Sequence, residues 1–136
     1  MNVSELSLQS LEVGEHGSVV FEGREISNVQ MHRDANRIGN ALKALGVQRG
    51  DRVIMQMPNT PEVFQAFQAI WRIGAIAVPI NYQVGQEEID YIYSDCGVNT
   101  VITSPEYLDK VRTAQSKTSS VKNIILVGGE APQGTL

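Results

Sequence analysis

The amino-acid sequence predicts an α/β fold: an open, mostly parallel sheet of βαβ units flanked by helices, with an N-terminal β-hairpin. Three observations lead there. Short apolar runs begin near residues 52, 76, 99 and 123, roughly 24 positions apart, which is the spacing a strand, a crossover helix and the next strand need. The segments between them repeat apolar residues at steps of three and four, the helical period. The runs themselves are continuously apolar, which implies cover on both faces. No residue-level repeat accompanies the spacing, so a solenoid is excluded.

Residues 1–13 hold a weak apolar spacing (Val3, Leu6, Leu8, Leu11, Val13), read as a short helix or an arm. Gly14-Glu15-His16-Gly17 is a turn by composition. Ser18–Phe21 and Arg24–Ser27 flank Glu22-Gly23, the signature of a hairpin. Ser27 followed by Gln30 is a capping-box pattern that opens a helix. Met31, Ala35, Ile38, Leu42 and Leu45 then form one apolar stripe, with Arg33, Arg37 and Lys43 on the wet side. Gly46 ends the helix as a left-handed residue, with Val47 making the accompanying apolar contact.

Arg52–Met57 reads as a buried strand, which Pro58 stops. Thr60 is the expected N-cap of the next helix, Pro61 suits its first position, and Glu62 favours its positive end. Val63, Phe67, Ile70 and Trp71 form its expected buried stripe, and Gly74 ends it. Ala75–Ile80 is the next strand. Gln86–Cys96 is a helix with Ile89, Ile92, Tyr93 and Cys96 inward, ended by Gly97. After the strand Thr100–Thr103, Ser104-Pro105-Glu106 caps and starts a helix running to about Ala114, with Leu108 and Val111 inward. Gln115–Ser120 reads as a polar loop, Asn123–Val127 as the last strand, and Gly128-Gly129 as a turn out of the sheet. The organisation expected is a single domain, 1–136, with an arm at 1–17, an α/β core at 18–129 and a frayed tail at 130–136.

Composition narrows the function. At 136 residues and 42% apolar, the chain has enough apolar material for one core, and a charged fraction of 19% argues against disorder. A net charge of −4, with eleven scattered Lys and Arg, argues against a nucleic-acid partner. The one cysteine, Cys96, rules out an intramolecular disulfide and reads as a small core hydrophobe rather than a reactive thiol. No apolar run approaches the ~20 residues of a transmembrane helix. The polar start from Met1 to Gln9 is no signal peptide, so a cytoplasmic protein is the expectation.

Motifs for chemistry are missing. A phosphate site on such a sheet needs glycine-gathered N–H groups at a helix N-terminus, and neither G-x-G-x-x-G nor G-x-x-x-x-G-K-[ST] occurs. Asp51 is read as capping its turn; a phosphoryl-acceptor role needs further acidic residues near the strand ends. His16 and His32 have no partners at metal-ligand spacing and are given surface or hydrogen-bonding roles. Glu87, Glu88 and Asp90 favour a helix dipole without any catalytic reason. Trp71 with Phe64 and Phe67 could line a pocket, yet at helical spacing Phe67 and Trp71 read as core. No catalytic, cofactor-binding or metal residue is assigned.

An ordered set of segments carries a family resemblance. It runs Ala44-Leu45-Gly46-Val47, Gly50-Asp51-Arg52-Val53, Pro58-Asn59 with Glu62, Gly74-Ala75 leading to Val78-Pro79-Ile80-Asn81, then Glu87-Glu88. From about Val19 to Val127 the chain resembles the N-terminal end of an acyl-CoA synthetase of the adenylate-forming, AMP-binding family. The resemblance implies a partial N-terminal subdomain of that fold. It implies a parent enzyme that uses ATP with Mg²⁺ to turn a carboxylic acid, a fatty acid in this reading, into an acyl-adenylate and then passes the acyl group to CoA. Two departures are visible. Ser27-Asn28-Val29-Gln30 stands where the family often has Thr-Tyr-x-Glu, and Val84-Gly85-Gln86 where it favours Thr-Pro. Asn81, where peptide-synthetase domains tend to carry Asp, tilts the reading toward CoA ligases.

The family's phosphate loop with its Lys, its adenine-contacting motif and its catalytic C-terminal Lys find no match; Ser116-Lys117-Thr118-Ser119-Ser120 lacks glycine. The segments present build scaffold. The expectation is therefore an N-terminal piece that is inactive alone, its partner the remainder of the parent chain, with an exposed sheet edge that invites self-association. The alternatives are a stand-alone flavodoxin-like binding or interaction module, and a truncated family member serving as an interaction scaffold.

Overall fold

The structure, a computed structural model, describes residues 2–81, 83–130 and 132–136. They form two compact units, Met1–Arg49 with Asn59–Ala75, and Gly50–Pro58 with Ile76–Leu136.

The first unit is helical, with one hairpin. Helix α1 spans Ser4–Glu12, strands β1 and β2 span Gly17–Phe21 and Arg24–Ser27, and helix α2 spans Asn28–Ala44. The hairpin turns at Glu22 (φ 49°) and Gly23 (φ 76°), two left-handed residues whose twist matches paired antiparallel strands. Ser27 caps α2 as expected, its Oγ accepting from the Gln30 N–H at 3.2 Å. The reciprocal half of the box does not form. The Gln30 amide bonds Asp34 at 2.8 and 2.9 Å, because a carboxylate one turn ahead is a stronger acceptor.

Beyond β3 (Arg52–Gln56), which belongs to the second unit, helix α3 spans Pro61–Arg72. It packs against α2. Met31, Ala35 and Leu42 are buried on one side, and Ala66, Ala69 and Ile70 on the other. The centre of the α3 stripe is thus small, while Phe67 and Trp71 are half-buried with ring centroids 5.1 Å apart. Small residues meet at the crossing, where a Cβ on Gly39 would make only an ordinary contact, 3.6 Å, with the Ala69 carbonyl oxygen. Both helices end alike. Val47 N–H donates to Leu42 O and Ala75 N–H to Ile70 O, each at 3.0 Å, with Gly46 and Gly74 at φ 89° and 76°. Thr60 holds the N-cap position of α3 in extended conformation, but its hydroxyl makes no cap bond.

The second unit holds the parallel sheet. Strands β4 (Ile76–Pro79), β5 (Thr100–Thr103) and β6 (Asn123–Leu126) join β3 in the order β4-β3-β5-β6. Ile54, Val101 and Ile124 stand side by side in register. Helices α4 (Gln86–Cys96) and α5 (Leu108–Lys117) bury Ile89, Tyr93, Leu108 and Val111 against this row. Glu88 reaches back to the Gly85 N–H at 2.8 Å, so α4 gains a cap without the Thr-Pro of the resembled family. A 3₁₀ turn, Pro105–Tyr107, precedes α5. Helix α5 runs three residues past the expected Ala114: Thr113 and Ser116 fold their hydroxyls onto Asp109 O and Thr113 O, and Lys117 pairs with Asp90. Polar side chains satisfied along the helix do not break it.

The expected frayed tail, 130–136, is tied at its end, though Ala131 lies outside the described residues. Leu136 N–H donates to Ile124 O and Leu126 N–H to Leu136 O, both at 2.9 Å, and Arg112 donates to Gln133 O at 2.9 Å. The edge of β6 offers unpaired backbone groups, and Leu136 takes them. Among the described residues no helix is long and apolar enough to cross a membrane.

Candidate functional site at the strand ends

In an open parallel sheet, ligands bind outside the carboxyl ends of the strands, where the strand order reverses. Here β3 connects to β4 on one side, and the next connection returns past β3 to β5. The reversal therefore lies between β3 and β5. Gln56 ends β3, in register with Thr103, which ends β5 and is followed by Ser104.

These ends are polar and buried. Thr103 Oγ1 donates to Gln56 O at 2.7 Å. Tyr93, fully buried on α4, donates its hydroxyl to Gln56 Oε1 at 3.2 Å. Burial pushes the Tyr93 phenol well above its ordinary pKa, so it remains a neutral donor. Gln56 Nε2 and Ser104 Oγ are buried with no hydrogen-bond partner. Leaving such a group unpaired costs about 1–3 kcal/mol. The two strand ends thus hold one amide donor and one hydroxyl that are enclosed without a partner. They hold no acid–base machinery, and both histidines belong to the other unit.

The residues weighed from sequence lie elsewhere. Asp51, at the opposite end of β3, accepts from Asn99 Nδ2 at 3.2 Å. His16 Nδ1 sits 3.0 Å from Gly14 O. His32 Nδ1 sits 3.0 Å from Arg72 Nη2, and desolvation together with that guanidinium lowers its pKa. Cys96 is a half-buried free thiol packed against the second unit's core. Phe64 is exposed. Gly128 and Gly129 both take positive φ in a turn after β6. Among the described residues no three His, Cys, Asp or Glu gather to hold a metal. Gln56 escaped sequence reasoning as a site residue, and Ser104 was read only as a helix cap, a cap bond its hydroxyl does not make. Their one signal was a polar residue closing an apolar strand run beside a proline, at Gln56-Met57-Pro58 and Thr103-Ser104-Pro105.

A family model described as AMP-binding enzyme matches residues 9–135. The chain belongs to the AMP-binding enzyme family. Among its relatives is the 3-oxocholest-4-en-26-oate–CoA ligase of Rhodococcus rhodochrous, 30% identical over 93% of this chain and 23% of the relative. Among solved structures is the anthranilate CoA ligase AuaEII in complex with anthranoyl-AMP. It superposes with a TM-score of 0.96 at 29% identity, over 100% of this chain and 26% of that one. The N-terminal domain of FACL13 from Mycobacterium tuberculosis matches with a TM-score of 0.83 at 28% identity, over 93% of this chain and 33% of that domain. This AMP-binding family chain thus spans about a quarter of the relatives' length. The mostly parallel sheet and N-terminal hairpin expected from sequence are those of adenylate-forming enzymes.

Proposed function

We propose that these 136 residues are one part of the large N-terminal AMP-binding domain of an ATP-dependent acid–thiol ligase. The parent joins a carboxylic acid to CoA through an acyl-adenylate. The observation that carries this reading is the family match over 9–135, together with a backbone that superposes on a CoA ligase at a TM-score of 0.96. A fatty acid is the finer expectation for the acid. The relatives' names cover a steroid acid and anthranilate, which supports carboxylic acid as the class.

Within the parent, this chain is framework. Adenylation needs preorganised donors on the phosphates and a cation beside them. The described residues offer no fit for Mg²⁺, so no step runs through it here. What they supply is a parallel sheet whose strand ends enclose Gln56 and Ser104. The expected outcome for the isolated chain is no acid-dependent ATP–pyrophosphate exchange. Robust exchange from a clean preparation would refute the framework reading.

The remaining partner of the reading is self. The described sheet ends on one side at β4, whose outer backbone groups are available for pairing. Isolated chains are therefore expected to associate through this edge.

A further inference from the structure

The parallel sheet of the second unit has two edges, β4 and β6, and the chain treats them differently. At β6, residues 132–136 return to the strand. Leu136 N–H donates to Ile124 O, and Leu126 N–H donates to Leu136 O, both at 2.9 Å. One residue bonded to both neighbours of Ile125 is the pattern of a parallel strand pair. Alternation explains why those neighbours can bond outward. Asn123 N–H and Val127 N–H donate to Asn99 O and Thr103 O at 3.0 and 2.8 Å, toward β5, so Ile124 and Leu126 face the other way. The segment is held at further points. Arg112 Nη2 donates to Gln133 O at 2.9 Å, and the Thr135 N–H and hydroxyl both fold back on Pro132 O, at 3.1 and 2.7 Å.

At β4 no strand among the described residues covers the outer side. Ile76 N–H donates to Asp51 O at 2.8 Å and Ile80 N–H to Met55 O at 2.9 Å, so residues 76, 78 and 80 face β3. Ala77 and Pro79 therefore face away from it. A proline fits a strand where its missing N–H would point to solvent, and Pro79 stands at such a position. Ala77 is thus the one residue of β4 that turns both an N–H and a C=O outward. Leu136 gives β6 that same pair of groups. Ala77 of a second copy, its strand running parallel, satisfies Ile124 O and Leu126 N–H in the same way.

We propose that residues 132–136 are a strap that keeps the β6 edge closed to β4 of a second copy of this chain. The proposal rests on the open β4 edge put forward above, and adds what limits it. With the strap seated, β4 of one copy finds only β4 of another among the sheet edges. Ala77 then exchanges both bonds with its own counterpart about a two-fold axis, a contact that is self-complementary and stops at a pair. With the strap lifted, β4 of one copy docks on β6 of the next. That contact joins two different surfaces and leaves a free edge at each end, so it repeats from copy to copy. The strap decides between a closed pair and continued growth.

Sedimentation over a range of concentrations tests this on the intact chain, on a deletion of residues 130–136, and on that deletion carrying Ala77→Pro. The intact chain is expected to level off at no more than about twice the monomer mass. The deletion is expected to keep gaining mass with concentration, past about fourfold. Ala77→Pro removes an N–H that β3 does not use, and is expected to hold the deletion at a pair or below. Leu136→Pro in the full chain loses the donor to Ile124 O and is expected to grow as the deletion does. It decides the matter should urea unfolding show the deletion to be unfolded. A deletion that stops at a pair, or an intact chain that already grows past one, overturns the strap and leaves the open β4 edge standing. Growth that survives Ala77→Pro overturns β4 as the occupant of β6. Monomers throughout would sink the strap and the open edge together.

Discussion

Tyr93 and Gln56 show how much one buried hydrogen bond can decide. The phenol donates to the amide at 3.2 Å, and the amide's other end has no partner. Tyr93→Phe strands the second end, so a loss of about 1–3 kcal/mol is expected in urea unfolding. Adding Gln56→Met removes both polar ends at once, and the double variant is expected to recover part of that loss. A double variant less stable than either single one would contradict this account. His32 offers a second test. Its Nδ1 meets the Arg72 guanidinium, which requires the neutral ring, and its pKa is lowered from 6.5 by desolvation first and Arg72 second. A lowered base binds fewer protons folded than unfolded. Its contribution is therefore complete above about pH 6.5 and is lost as pH falls from there toward the folded pKa. His32→Gln, still an acceptor for Arg72, is expected to flatten that slope between about pH 5 and pH 8. Neither contact was visible in sequence, because Tyr93 and Gln56 are 37 positions apart and His32 and Arg72 are 40.

At the level of the element, two glycines of one helix have opposite meanings. Gly39 lies inside α2 with no positive φ, and its added Cβ would meet Ile73 Cγ2 at 3.5 Å, an ordinary contact. Gly39→Ala is expected to stabilise by up to ~1 kcal/mol, the helix propensity difference. Gly46 has φ 89° with open space around it, so Gly46→Ala is opposed by backbone conformation alone and is expected to destabilise by about 1–2 kcal/mol. Thermal melts of the two variants should move in opposite directions. Helix existence was legible from α2 onward, since the period of the apolar residues states it, and Gln86–Cys96 was read to the residue; the weakly patterned Ser4–Glu12 was left between helix and arm. What the period could not state was which side chains sit deepest. On α3 Val63, Phe67, Ile70 and Trp71 were read as the buried stripe; Ile70 is fully buried as expected, but Val63, Phe67 and Trp71 are half-buried, and Ala66 and Ala69 are fully buried instead. Close helix packing selects small residues at the crossing and leaves large ones at its margin.

For the molecule as a whole, the sheet edge is the feature with consequences in solution. Strand β4 ends the described sheet, and Ile76 on it is 47% exposed. Pro79, lacking an N–H, blunts the strand at one position only. Sedimentation of the isolated chain is expected to show association that deepens near the sequence pI of 5.1, where net repulsion vanishes. Ile76→Lys, which places a charge on the edge, should reduce it. A strict monomer at high concentration near that pH would count against an open edge.

From the hairpin onward, the main elements, their order and the parallel βαβ connectivity followed from the sequence by itself, as did the family. Periodicity, caps and turn glycines are local properties, written within a few residues of where they act. The tertiary structure alone decided the rest. It set the strand order that puts the reversal between β3 and β5, left Gln56 Nε2 and Ser104 Oγ without partners, and brought the Arg72 guanidinium to His32. Each of these joins residues far apart along the chain, and such pairings exist only once packing has chosen which surfaces meet.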